Sequence, residues 1–192
     1  MDFSRQTSLS LLERAGSQDP AAWNRIVTLY GPLVKHWCLR MGVRRQDCDE
    51  VAQETFLAIH SGLAAFERER AGSFRSWVRT ITRYKAIDHF RRQGAEAAAA
   101  GGTVAQQNLQ DLPDQADADE EAAELNGLYR AALGLIQAEF EPRTWQAFWR
   151  SVIDEQPTDL IATELKMSAV AVRIAKSRVL ARLREETINL ID

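Results

Sequence analysis

Cysteine is almost missing from this chain of 192 residues, with Cys38 and Cys48 as the two present. Their spacing is not that of a metal knuckle, and no histidine pair stands ready to complete one. Two thiols without a framework read as reduced cysteines of a cytosolic protein, not as a disulfide scaffold. Proline (5) and glycine (10) are scarce, and long stretches hold neither, which favours helices. Clean alternation of β-branched residues is missing too, so no sheet is expected. No apolar run approaches the roughly 20 residues of a membrane span, which argues against membrane insertion. The N-terminus carries acid and arginine where a signal peptide would have a basic stretch and an apolar core. A nucleophile with its base, a phosphate-binding loop and a cluster of metal ligands are all lacking. His36, His60 and His89 stand apart from one another. The chain therefore reads as a non-enzyme that uses neither cofactor nor metal.

What is there suits a folded protein of one or two domains, since 45% apolar residues can supply a core. The net charge of −3 speaks against a nucleic-acid partner until its distribution is considered. From Gln93 to Tyr129 there is no Lys or Arg, while acids accumulate from Glu96 to Glu124. Arg75 to Arg92, by contrast, holds six basic residues against the single acid Asp88. An acidic middle thus masks basic flanks, and local patches decide binding more than the total does.

Along the chain, Asp19-Pro20 reads as a cap and first position of a helix. Trp23, Ile26, Val27, Tyr30, Leu33, Val34 and Trp37 follow at three- and four-residue steps, the apolar face of one helix or of two bent at Gly31-Pro32. A second helix starts near Asp47 or Asp49 and buries Val51, Ala52, Thr55, Phe56 and Ile59. Its other face, with Asp49, Glu50, Gln53, Glu54 and Leu57, is either solvated or a docking face for a basic partner. Residues 61–73 read as a loop. Ser73 then caps a third helix, Phe74 to Arg92, in which aromatics alternate with cations. Cations attract phosphates and aromatic faces stack on exposed bases, so the pattern suits a nucleic-acid strand. The bland alternative is that Trp77 and Phe90 are core and the cations a solvated face. Residues 94–119 have little to bury and read as a flexible acidic linker.

Beyond the linker, Leu125, Leu128, Tyr129, Ala132, Leu135 and Ile136 form one apolar face, and Glu141-Pro142 opens the next helix. From Gln156 the sequence has the layout of a helix-turn-helix. Thr158 is read as the cap of a short helix, Lys166-Met167 as the turn and Ser168 as the cap of a second helix carrying Arg173, Lys176, Arg178, Arg182 and Arg184. An αα-hairpin with a solvated basic face has the same signature. The expected fold is all-α: an N-terminal segment (1–19), a helical domain (20–93), the linker (94–119) and a second helical domain (120–188).

Three of these stretches resemble a known family. Asp47-Cys48-Asp49-Glu50-Val51-Ala52-Gln53-Glu54-Thr55-Phe56 resembles region 2.2 of bacterial sigma factors. Gly72-Ser73-Phe74-Arg75-Ser76-Trp77-Val78-Arg79-Thr80-Ile81-Thr82-Arg83, with Ala86-Ile87-Asp88-His89-Phe90-Arg91-Arg92, resembles regions 2.3 and 2.4. The terminal helix-turn-helix resembles region 4.2, and the arrangement matches the small extracytoplasmic-function (ECF) type. The resemblance implies a DNA-binding transcription-initiation subunit of the cytoplasm. It implies that Asp49, Glu50, Gln53, Glu54 and Leu57 dock on the beta-prime clamp of core RNA polymerase, with the beta flap as a further contact. Phe66, Ser73, Arg75, Trp77, Arg79, Arg83, Lys85, His89, Arg91 and Arg92 would act on double- and single-stranded DNA at the minus-ten element. Ser168, Ala169, Ala171, Arg173, Lys176, Ser177 and Arg178 would face the minus-thirty-five element. Ile174-Ala175 stands where the family commonly has a polar-basic pair. Many members are held by an anti-sigma factor between the two domains, and the linker would allow one here. Two other readings are an operator-binding regulator that senses a signal through its N-terminal helices, and a helical interaction module that binds no DNA.

Overall fold

A computed structural model describes residues 11–66, 73–99, 118–187 and 190. The described residues form eight α-helices and no strand, as expected for an all-α chain. They divide into two compact units, residues 1–128 with 189–192, and residues 129–188.

The first unit contains α1 (Leu11–Gly16), α2 (Pro20–Arg40), α3 (Cys48–Gly62), a single 3-10 turn (Leu63–Ala65), α4 (Phe74–Ala99) and the first half of α5 (Ala118–Ile136). α2 starts where its sequence dictates. The Asp19 carboxylate accepts from the backbone N–H groups of Ala21 (2.9 Å) and Ala22 (3.2 Å), and Pro20 occupies a first-turn position whose N–H is not needed. Pro32 does not break the element, so Pro20–Arg40 is one helix. Its end is a Schellman motif: Gly42 adopts φ +87°, its N–H bonds to the Leu39 carbonyl, and the Val43 N–H reaches back to Cys38. The chain then turns into α3 with Val43 buried.

α2, α3 and α4 bury matching stripes. Ile26, Tyr30, Val34 and Trp37 come from α2, Val51, Thr55 and Ile59 from α3, and Phe74, Val78, Thr82 and Ala86 from α4. Each set steps by three or four residues, the helical repeat that keeps one face inward. Tyr30 meets Phe74 edge-on at 5.2 Å. Cys38 is buried among these residues, and burial pushes its thiol up to about 12. α4 runs on to Ala99, beyond the Arg92 end expected from sequence, and so takes up the first residues of the presumed linker. Alanine is the best helix former, which lets the run extend without any apolar surface to bury. Residues 118 and 119 of the expected linker open α5, and residues 100–117 lie outside the described residues.

The second unit holds the end of α5, a 3-10 turn (Gln137–Glu139), α6 (Pro142–Val152), α7 (Thr158–Glu164) and α8 (Ala169–Thr187). Leu133, Ile136, Trp145, Phe148 and Val179 form one buried cluster, and Ala147, Ile161, Val172 and Ala175 a second. Fully burying side chains of this kind contributes about 1.5–3 kcal/mol each for the large ones. The division falls at Leu128/Tyr129, later than the 119/120 boundary read from composition. The physical reason is a set of ion pairs that ties the start of α5 into the first unit. Glu124 accepts from Trp37 Nε1 (2.6 Å) and Arg75 Nη1 (3.0 Å), and Arg40 meets Glu120 at 3.0 Å.

Candidate nucleic-acid and polymerase interfaces

The outer face of α3 is set by the inward stripe of Val51, Thr55 and Ile59. Turned away from that stripe, Glu50, Gln53 and Leu57 are exposed, with Leu57 at 62%. Asp49 sits at the edge of this face and pairs with Lys35 at 2.6 Å. Glu54 is half-buried and accepts from Arg92 Nη1 at 2.6 Å. The face that carries Glu50, Gln53 and Glu54 thus also carries a largely exposed leucine. It suits a partner that offers cations around an apolar spot.

The minus-ten candidates do not share one environment. Ser73 caps α4, with Oγ accepting from the Ser76 N–H at 3.2 Å. Phe66 lies 4.8 Å from the Trp77 ring and 5.5 Å from Phe74, and both Phe66 and Trp77 are half-buried. Arg75 and Arg79 are turned onto α5. The Arg75 guanidinium, 14% exposed, bonds Glu121 and Glu124, and Arg79 lies 3.7 Å from Glu124 and over the Trp37 ring at 5.8 Å. His89 is buried, within 2.9 Å of Gln93 Nε2 and 3.6 Å of Asp47. Burial works to raise the Asp47 carboxyl, but hydrogen bonds from Arg44 and Gln93 outweigh it and hold the group below its ordinary range. Arg83 and Lys85 are half-buried; Arg91 and Arg92 are exposed and pair with Asp88 and with Glu50 and Glu54.

His36, Glu120 and Glu124 bring three potential metal-ligand atoms within 4.8 Å of one another. Both Glu124 oxygens already serve Trp37 and Arg75, and Arg40 holds Glu120, so the cluster is neutralised by guanidinium groups. Cations on every side make it an ion-pair network and a poor cradle for a metal.

In the second unit α7 and α8 are joined by a tight turn. Lys166 adopts φ +52°, its N–H bonds to the Thr163 carbonyl, and the Met167 N–H reaches the Ala162 carbonyl at 2.8 Å. Ala162, Leu165 and Met167 pack on the Ile161–Val172 cluster. Ser168 caps α8, with Oγ accepting from the Ala171 N–H at 3.1 Å. The expected Thr158 cap is not formed. Pro157 occupies the cap position and Thr158 is already helical, which leaves that end without a side-chain acceptor. Arg150 braces the pair, donating to Gln156 at 2.7 Å and to Glu164.

α8 buries Val172, Ala175 and Val179 and turns Ser168, Arg173, Lys176, Ser177 and Arg178 outward, while Ala169 and Ala171 are half-buried. Among the described residues, Arg173, Lys176 and Arg178 make no ion pair, unlike Arg75 and Arg79. Sequence reasoning missed Val170 and took Ile174 only as a departure from the family pattern; both are exposed on the same face, at 59% and 52%. Their signal was available, since both fall out of step with the buried Val172–Ala175–Val179 repeat.

Comparison with known proteins bears on the first unit. Residues 26–96 match the Sigma-70 region 2 family. The chain is also 33% identical over 85 residues to the ECF RNA polymerase sigma factor SigF of Caulobacter vibrioides (strain NA1000 / CB15N). The match covers 44% of this chain and 46% of the relative, so the chain spans about half the length of the curated relative it matches. Among the described residues no helix is long and apolar enough to cross a membrane.

Proposed function

We propose, from the premise that this chain is of the sigma-70 family and carries that family's region 2 over residues 26–96, that it acts as an ECF-type sigma factor. In this reading it binds core RNA polymerase, recognises promoter DNA and helps to open it. The observation that carries the proposal is the coincidence of the region 2 match with an exposed Leu57 on the face of α3 that also carries Glu50, Gln53 and Glu54. Glu50, Gln53 and Leu57, with Asp49 and Glu54 at the margin, dock on the beta-prime clamp. Lys and Arg side chains of the clamp complement the acids, and Leu57 buries its apolar surface.

Promoter opening costs the stacking energy of the bases that are separated. Phe66 and Trp77 recover part of that cost by stacking on them, and Arg83, Lys85 and Arg91 hold strand phosphates, while Arg92 fastens α4 to Glu50 and Glu54 of α3. Arg75 and Arg79 anchor α5 to α4, and His89 supports α4 from beneath through Asp47 and Gln93. In the second unit α8 lies in the major groove of the upstream element, with Arg173, Lys176 and Arg178 on phosphates or base edges.

A pull-down of core RNA polymerase by the tagged full-length chain tests the reading. Retention of core polymerase, weakened by charge reversal of Glu54, is the expected result. A chain that binds DNA but no core polymerase would be an operator-binding regulator, and the sigma reading would fall.

A further inference from the structure

We infer that Val170 and Ile174 are specificity-determining residues of α8, which read the C5-methyl groups of thymines in the major groove. The inference rests on the proposal that α7 and α8 bind duplex DNA, and it assigns to that surface a base chemistry. Both side chains are more than half exposed, at 59% and 52%. They stand four residues apart, one above the other on the same side of the helix. Ser177 and Ala181 continue that line, and both are exposed. The outward face of α8 is therefore an aliphatic strip that passes into small residues.

Cations border the strip on both sides. By helical position Arg173 and Arg184 lie along one edge and Arg178 along the other, and all three are exposed without an ion pair among the described residues. Glu185 falls on the Arg178 edge only at the far end of the helix, so beside Val170 and Ile174 the borders are cationic. Duplex DNA complements that layout: two phosphate rims bound a groove about 12 Å wide that admits one helix. Residues on the midline of the helix then meet base edges while those on its borders meet phosphates. The first turns of a recognition helix are the ones that reach bases, and these turns hold Val170 and Ile174.

Aliphatic side chains discriminate among those edges. Guanine, cytosine and adenine offer polar atoms in the major groove, which lose water against a branched hydrocarbon and gain no hydrogen bond. Thymine offers a methyl group, which gains by the contact. Valine and isoleucine hold essentially one χ1 rotamer in a helix, so their methyls are fixed in advance at defined heights along the groove. Arginine at the same positions could swing to phosphates and would lose that selectivity.

Replacing thymine by deoxyuridine removes the methyl and nothing else, which makes the test specific. Duplexes are selected from a random library by the full-length chain bound to core RNA polymerase, and each thymine of the enriched site is then exchanged for deoxyuridine. At the positions read by these residues binding should fall about three- to fivefold, the size of one buried methyl. Ile174→Ala should abolish the sensitivity at one position and Val170→Ala at another, while Ile174→Val retains part of it. Both side chains are exposed, and matched thermal melts establish that the variants fold. An enriched site indifferent to every deoxyuridine exchange overturns the inference and leaves the DNA-binding reading standing. Variants that keep wild-type dependence on thymine also overturn it, because other residues then read the methyl groups. Failure to enrich any sequence with the second unit's cations intact overturns the inference together with the reading on which it rests.

Discussion

α4 and α8 are both rich in cations, yet they use them differently. On α4, Arg75 and Arg79 are mostly covered and bonded to Glu121 and Glu124 of α5, and Arg92 is bonded to Glu54 of α3. On α8, Arg173, Lys176 and Arg178 project into solvent with no acid against them among the described residues. A basic helix is therefore not one kind of object. Where the acids come from a distant part of the chain, arginines become internal fasteners that fix one helix on another. Where no acid follows, the same residue type keeps its full attraction for phosphate. The comparison also assigns a role to the acidic run near residue 120, which neutralises α4 from across the fold.

The comparison breaks most sharply at Glu124. Glu124→Leu leaves Arg75 and the Trp37 N–H without their buried acceptor and should cost about 3 kcal/mol of stability, read by urea denaturation. The result that would contradict the account is a midpoint unchanged from wild type. On α8 the expectation is reversed. Arg173→Ala with Arg178→Ala should leave the denaturation midpoint within about 0.5 kcal/mol of wild type. DNA affinity should nevertheless drop tenfold or more, and the salt dependence should lose a slope of about 0.9 for each phosphate contact removed. Filter binding over a salt series measures both.

A third variant probes the acidic counterpart. Leu57→Asp, at a largely exposed position, should fold normally and weaken core polymerase binding about tenfold, since one desolvated leucine at an interface centre is worth roughly that much. Equal affinities by fluorescence titration would remove α3 from the interface. The smallest effect is expected at the turn between α7 and α8. Lys166 holds a left-handed backbone without being glycine, so Lys166→Gly should raise stability by about 0.5–1 kcal/mol and leave DNA binding unchanged. A lower melting temperature would show that the turn relies on the lysine side chain.

Local chemistry made much of the fold legible. Asp19-Pro20, Ser73 and Ser168 mark helix starts because a capping side chain acts within three residues of itself, and the apolar repeats fix which face each helix buries. The all-α class followed from the same periodicity. Long-range pairing was not legible. Glu124 closes an acidic run, and its partners Arg75 and Trp37 lie 49 and 87 residues away. Composition shifts near residue 119, while the compact first unit runs on to Leu128. His89 reads as a polar residue among cations and lies buried, since its position on the inward stripe of α4 outweighs its polarity. The candidate sites were legible as residue types and less so as surfaces. Periodicity names Arg173 and Arg178 as outward, but the exposure of Val170 and Ile174 emerges only when their phase relative to Val172 is counted.

The most direct test of the central claim is start-site mapping with purified components. Core RNA polymerase from the organism that encodes this chain is incubated with fragmented genomic DNA, with and without the full-length protein, and the 5′ ends of the transcripts are sequenced. The account predicts defined starts that appear with the chain alone among added factors and share a common upstream element. Identical 5′ ends with and without the chain would contradict it.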